Sequence, residues 1–291
     1  MIKAVVMDMD GTLLDSHDNI PQKTKEALIS LEKQGVKLIL ASGRNQRRLI
    51  GIAHELKMDE FGGYFIEIDG IAYSDLYKNE RFLLHQMDKK EIEDIFSYLM
   101  THCEVQACTE QTLYTFIPKE LYSIKKKERI ERNLGEEFPW TGGPWTWNFD
   151  MRKAYEEIIY VQSVDEVDGK INKLQIMDTD ETILRLYEDL NQRFYKKFEF
   201  FRTSHRQIEI LPYGYSKGFT LKRLMDQNNW AKEEVLAFGD GENDVSLFEQ
   251  VENSFAMGQA EQYVKDRAKY VTLSNDEEGI YKALQQLKLV D

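Results

Sequence analysis

Cysteine is almost missing from this sequence: Cys103 and Cys108 are its only two in 291 residues. With no second Cys pair or Cys/His pair to complete a ligand set, a zinc site of ordinary spacing is excluded, and both thiols read as buried or incidental. The histidines, His17, His54, His85, His102 and His205, show no metal-ligand spacing either. Long apolar runs are absent, and nothing approaches the roughly 20 residues of a membrane span. No internal repeat or low-complexity tract is visible. Positive charge is in the minority, 38 Lys and Arg against 51 Asp and Glu, a formal net charge of -13. That balance argues against nonspecific binding to nucleic acid or to anionic lipid. With the chain opening directly on its first strand, a reducing, cytoplasmic setting is the expectation. What is present, 42% hydrophobic residues in a chain of this length, suits one large or two ordinary domains with real cores. An acidic protein that handles an anionic substrate needs a bound cation or a few well-placed Lys and Arg residues.

The opening run MIKAVVMDMDGTLLD meets that requirement. Residues 2–7 carry Ala4, Val5 and Val6 with little alternation, as in a strand buried on both faces of a parallel sheet, and Gly11 breaks the run. Strand residues two apart share a side. Asp8 and Asp10 can therefore project together into the crevice at the strand's carboxyl end, where open α/β sheets bind ligands. A helix over 22–34, a strand over 36–41, a helix over 45–56 and a strand over 64–68 follow. This βαβαβ opening predicts a parallel sheet with right-handed crossovers. Asp69-Gly70 reads as a hairpin turn.

From about Phe82 the texture changes to a helix over 88–100, strand-like runs at 105–107 and 113–117, a helix over 119–133 and the loop FPWTGGPWTWNF over 138–149. A strand over 173–177, a helix over 181–193 and paired strands at 199–202 and 207–211 complete that stretch. Beyond Pro212 the alternation resumes: helix 217–228, strand 235–239, helix 243–250, strand 254–257 and a closing helix. The fold class is α/β, a doubly wound, Rossmann-like parallel core from 1–81 and 212–291. An α+β domain, 82–211, is inserted between its halves.

A second acidic cluster, GDGEND, follows the apolar VLAF and brings Asp240 and Asp244 to the same sheet edge. Four converging carboxylates are unfavourable without a cation, and an all-oxygen set suits Mg²⁺. In ASGR, Ser42 can donate its hydroxyl, and the N–H groups of Gly43 and Arg44 at a helix N-terminus suit phosphate. Lys217, in GYSKG, adds a compact positive charge. Together these parts describe a phosphoryl-transfer site.

DMDGTLLD, ASGR, SKG and GDGEND occur in the order of the haloacid dehalogenase superfamily, and the chain resembles its Cof-type phosphatases over its whole length. The resemblance implies that 82–211 is a cap that sets substrate specificity. It implies that Asp8 attacks phosphorus to form an aspartyl-phosphate, while Asp10 protonates the leaving oxygen and later activates water. It places the metal on the Asp8 carboxylate, the Asp10 carbonyl and Asp240, with Asp244 supporting through water. Ser42 and Lys217 would hold phosphoryl oxygens, and Asn243 would help position the phosphate. An aspartate with a pKa of about 4 is already ionised at neutral pH and needs no separate base to attack. Asp10 must instead keep a proton for part of the cycle, which calls for neighbouring negative charge. One departure stands out: many Cof-type chains carry Asn-Gly where this one has Asp69-Gly70, and a carboxylate accepts hydrogen bonds but cannot donate them.

The expectation is a Mg²⁺-dependent phosphatase of small phosphorylated metabolites, sugar phosphates or cofactor phosphates, with Arg44, Arg47 and Asp69 as candidate substrate contacts. Two alternatives stand beside it. A phosphotransferase or phosphohexomutase would pass the aspartyl-phosphate to a sugar hydroxyl. A non-catalytic metal- and phosphate-binding module has no use for a proton donor at Asp10. Lys125 to Lys127 with Arg129 read as a solvated helix face. Trp140, Trp145 and Trp147 suit either packing within the cap or a substrate-facing lid. No heptad pattern sets an oligomeric state.

Overall fold

Strand β1 (Ala4–Met7) is buried at every position. Its side chains alternate between two cores, Val5 and Met7 into one and Ala4 and Val6 into the other, the period-two consequence of an extended chain. A computed structural model describes all 291 residues. After β1 come α1 (Gln22–Lys33), β2 (Lys37–Ala41), α2 (Gln46–Glu55), the single turn α3 (Met58–Phe61) and β3 (Gly63–Glu67). A four-residue turn then leads to β4 (Ala72–Asp75) and β5 (Glu80–Leu83). These last two strands pair antiparallel, β4 with β3 and β5 with β4. The core sheet is therefore parallel from its far edge to β3, and the turn that holds Asp69-Gly70 closes an antiparallel hairpin, in line with its reading as a hairpin turn.

The next stretch forms a separate compact unit, His85–Gly214, while Met1–Leu84 and Tyr215–Asp291 form the first. Because β5 belongs to the core sheet, Phe82 and Leu83 fall in the first unit. The second unit contains α4 (Lys89–Met100), β6 (Glu104–Cys108), β7 (Thr112–Phe116), α5 (Leu121–Glu131), β8 (Glu157–Tyr160), β9 (Lys173–Met177), α6 (Asp180–Arg193), β10 (Phe198–Ser204) and β11 (Gln207–Pro212). Its sheet has the order β10-β11-β9-β6-β7-β8. One face is apolar, with Ile92 and Phe96 of α4 and Ile183, Leu186 and Leu190 of α6 packed on Val105, Ile176 and Ile208. On the opposite face Glu104, Gln106, Gln175, Gln207 and Glu209 are polar and buried. Gln175 Nε2 donates to Gln106 Oε1 at 2.5 Å, and Gln207 Nε2 donates to Glu209 Oε1 at 3.1 Å, which offsets the cost of removing them from water.

Two cations of α5 organise the Trp-bearing loop, which corrects their reading as a solvated face. Lys125 is fully buried and lies 2.6 Å from Glu104 Oε2. Its ammonium donates to the carbonyls of Trp140 and Trp147 at 2.6 and 2.5 Å. Arg129 donates to the carbonyls of Gly135 and Phe138 and stacks on Trp140, 4.2 Å from its ring centre. Only Lys126 and Lys127 of that run face water. Trp147 in turn lies under the Arg206 guanidinium at 3.6 Å. Trp140 and Trp147 thus pack within this unit, whereas Trp145 is 65% exposed.

The chain returns to the first unit through α7 (Lys217–Asn228), β12 (Val235–Gly239), α8 (Val245–Phe248), β13 (Asn253–Ala256), α9 (Gln262–Lys265), β14 (Tyr270–Val271) and α10 (Gly279–Gln286). The expected helix over 243–250 is a single 3₁₀ turn, Glu242–Asp244, followed by the short α8. The finished sheet reads β14-β13-β12-β1-β2-β3-β4-β5. Residues of α1, α2 and α10 pack on one face and those of α7, α8 and α9 on the other, so the core is doubly wound. No helix is long and apolar enough to cross a membrane.

Candidate active site

Strand order reverses at β1: the chain builds β2 and β3 on one side of it and β12 to β14 on the other. A crevice opens at the carboxyl edge of such a switch point. Asp8 follows β1 and Asp240 follows β12, and these strands pair in parallel with Met7 beside Phe238. Register alone therefore brings together two residues far apart in sequence. Carboxylate oxygens of Asp8, Asp240 and Asp244 lie within 4.8 Å of one another. Gly11 makes the approach possible: its φ is +86°, and a Cβ there would stand 2.5 Å from Asp240 Oδ2.

Lys217 opens α7, whose first turn is capped by Ser216 accepting from Phe219 N. Its side chain is fully buried, with Nζ 2.6 Å from Asp8 Oδ1 and 2.7 Å from Asp244 Oδ1. Asp244 Oδ2 accepts from the amides of Asp240 and Gly241, both at 3.0 Å. Asp244 thus braces the loop and the lysine. Three carboxylates against one ammonium leave an excess of negative charge out of water, and the ionisations respond. Burial, helped by Asp244 and Asp240 and opposed by Lys217, holds the Asp8 carboxyl well above the usual range. Burial and Asp244 push Asp240 up to about 7. Burial alone would lower Lys217, but Asp244 and Asp8 outweigh it and raise the ammonium well above its ordinary value. A cluster that retains protons in this way suits a hard divalent cation, which would replace them on oxygen ligands.

Ser42 follows β2 and is buried. Its Oγ accepts from Arg44 N at 3.2 Å. The helix begins only at Gln46, whose amide donates to the buried Glu67 at 3.1 Å. Gly43 and Arg44 lie immediately before Asn45, the N-cap of α2, and the Arg44 amide donates to Ser42. The surroundings of Asp10 also differ from expectation. Its half-exposed carboxylate receives the Arg44 guanidinium as a fork, with Nε 2.9 Å from Oδ2, so a cation, not a carboxylate, is its bonded neighbour. Arg47 lies on α2 and is exposed. Asp69 is fully buried, and its Oδ1 accepts from Asn243 Nδ2 at 2.9 Å. Of the three candidate substrate contacts, only Arg44 bonds to a residue of the DMDGT turn, Asp10, and Asp69 turns inward.

Several groups escaped sequence reasoning. Thr12 Oγ1 donates to Asp240 Oδ1 at 2.7 Å. Gln259 Nε2 donates to the Gly11 carbonyl, and Asn275 Nδ2 donates to the Leu14 carbonyl at 2.8 Å. Asn275 N also donates to Gln259 Oε1 at 3.3 Å. The segment after β13 thus clasps the turn that presents Asp8 and Asp10. Thr12 had a signal in its place within DMDGT; Gln259 and Asn275 had none.

A doubly wound α/β core with an acidic cluster and a buried lysine at its switch point defines a class of phosphoryl-transfer hydrolases. Residues 5–284 match the haloacid dehalogenase-like hydrolase model, and the chain belongs to that family, as a Cof-type hydrolase of phosphoric monoesters. It is 25% identical over 293 residues to the Escherichia coli protein YbjI, a 5-amino-6-(5-phospho-D-ribitylamino)uracil phosphatase, covering 98% of this chain and 96% of that one. The crystal structure of a haloacid dehalogenase-like hydrolase from Bacteroides thetaiotaomicron is similar at 26% identity and a TM-score of 0.74, covering 99% of this chain and all of that one. The sugar phosphatase BT4131, of subclass IIB, shares the fold at 23% identity and a TM-score of 0.74, covering 99% of this chain and 100% of its own.

Proposed function

We propose that this protein is a Mg²⁺-dependent phosphatase of small phosphorylated metabolites, sugar phosphates or phosphorylated cofactors, that works through an aspartyl-phosphate on Asp8. The observation that carries the reading is the buried Lys217 held between Asp8 and Asp244, with Asp240 in the same cluster. The substrate class draws on relatives named for a ribityl-uracil phosphate and for sugar phosphates.

With Oδ1 of Asp8 held by Lys217, Oδ2 attacks phosphorus. The P–O bond to the leaving group breaks as the new one forms, and Asp10 gives its proton to the departing oxygen. Asp10, now a base, takes a proton from water, whose oxygen attacks the same phosphorus. Inorganic phosphate leaves and the Asp8 carboxylate is regenerated. The Arg44 guanidinium takes up both Asp10 oxygens, so it has to move before one of them can face the leaving oxygen. Ser42 and Lys217 orient the phosphoryl oxygens, and Asn243 fixes the phosphate end. Asp8, Asp240 and the Asp10 carbonyl would hold Mg²⁺, with Asp244 in support, and the ion would supply neutralising charge for the transferring group. Choice of leaving group is assigned to the second unit.

Phosphate release from a panel of esters tests this. Asp8→Asn should lower kcat by at least ~10³-fold, because the nucleophile is lost. Asp10→Asn should lower it by roughly 10²–10⁴-fold, the usual worth of general acid–base catalysis. Full turnover by Asp8→Asn would refute the nucleophile, and turnover unaffected by exhaustive chelation would refute the metal.

A further inference from the structure

Ile68 and Asp69, in the turn between β3 and β4, both have φ of +51°. For a β-branched residue this is a costly backbone state, and such strain persists only where the surroundings impose it. Here the surroundings are three of the phosphoryl-transfer motifs. Ile68 N donates to Arg44 O at 3.1 Å and Asp69 N to Ser42 O at 3.0 Å, so the turn is tied to the loop after β2. Thr220 Oγ1 donates to Gly70 O at 2.6 Å. A Cβ on Gly70 would stand 2.1 Å from Ser216 O, so the turn presses against the start of the helix that carries Lys217. Its third tie is the Asp69 carboxylate on Asn243.

We propose that Asp69 is a positioning residue of the phosphoryl site, acting through Asn243 and not by touching substrate. A carboxylate can only accept, so Asn243 has to present its NH₂ to Asp69, and its carbonyl oxygen is thereby fixed on the other side. An amide at position 69 offers both a donor and an acceptor and leaves Asn243 two orientations. The carboxylate removes that ambiguity at a residue whose neighbours Asp240 and Asp244 belong to the acidic cluster.

The inference rests on the phosphatase reading, and the test separates the two. Wild type, Asp69→Gly, Asp69→Asn, Asn243→Ala and the Asp69→Gly/Asn243→Ala double variant are compared as full chains with Mg²⁺ and p-nitrophenyl phosphate, with Asp8→Asn as the inactive control. Glycine and asparagine both accept a φ of this sign, so neither forces the turn open. Thermal melts of all variants verify folding. Asp69→Gly should lower kcat/KM about 10-fold through misorientation, and Asp69→Asn should recover most of that loss. In the Asn243→Ala background Asp69→Gly should cost nothing more, because residues acting through one another are not additive. Additive losses, or wild-type kinetics in Asp69→Gly, would overturn the assignment. If wild type matches Asp8→Asn, the phosphatase reading fails instead. The same cycle is then read from Kd for inorganic phosphate by calorimetry, where additivity again overturns the role of Asp69.

Discussion

Glu32 is the residue whose environment contradicts its chemistry most sharply. It lies on α1, is buried, and neither carboxylate oxygen has a hydrogen-bond partner. Burial, with Asp59 and Glu60 adding to it and Lys37 opposing, pushes its pKa to about 8. The folded chain then keeps a proton that the unfolded chain releases near its ordinary value of about 4.5. The stability contribution is full in acid and is lost as pH rises through that interval towards 8, since the native state binds the extra proton there. Glu32→Met removes the unpartnered acceptor and keeps a good helix former. It should stabilise the protein by about 1–2 kcal/mol at pH 8, with a smaller gain at pH 5, read by urea denaturation at the two pH values. A pH-independent difference would contradict this account. Nothing in the sequence marks Glu32, since one acid in a charged amphipathic helix looks like any solvated residue. Asp8 and Asp240 were legible for the opposite reason: each ends an apolar strand, where a carboxylate has no packing role.

Among the elements, α5 gives the clearest case of a pattern misread. Lys125 and Arg129 share a helix face with the buried Leu121 at i, i+4 and i+8, a spacing overshadowed by the exposed Lys126 and Lys127. The carbonyls that solvate the two cations belong to a loop whose course no periodicity reveals. Burial pulls the Lys125 ammonium below its ordinary range while Glu104 opposes the shift, so the two charges depend on each other. Lys125→Met should destabilise the protein by roughly 3–5 kcal/mol, because it strands the buried Glu104. It should also shift tryptophan emission as the carbonyls of Trp140 and Trp147 lose their donor. A melting temperature equal to wild type would remove this role. Strand β8 was missed for another reason: its four residues, EIIY, form a short, partly exposed edge strand without alternation long enough to read.

For the molecule as a whole, the split core was legible because the βα alternation stops and resumes, and because acidic clusters close strands in both halves. Which strand lies beside which was not, since parallel pairing is set by packing over long separations. At this scale metal binding should be visible as stability. At a free Mg²⁺ concentration 100 times its Kd, mass action adds about 2.7 kcal/mol to the folded state. Magnesium should therefore raise the melting temperature, and chelation should reverse the gain. Because Asp240 holds a proton up to about pH 7, cation and proton compete for it. The Mg²⁺-dependent shift should shrink between pH 8 and pH 6, with protons released on binding. Scanning calorimetry across that range checks both statements, and a shift that grows on acidification would contradict them.

The grip of Gln259 and Asn275 on Gly11 and Leu14, together with the pairing of β1 with β12, has a temporal meaning. Asp8 finds its lysine, its neighbouring strand and the two amides that restrain its turn only in segments translated after the second unit. A nascent polypeptide that stops at the second unit has none of them, so the acidic cluster is assembled only as the later half of the core emerges.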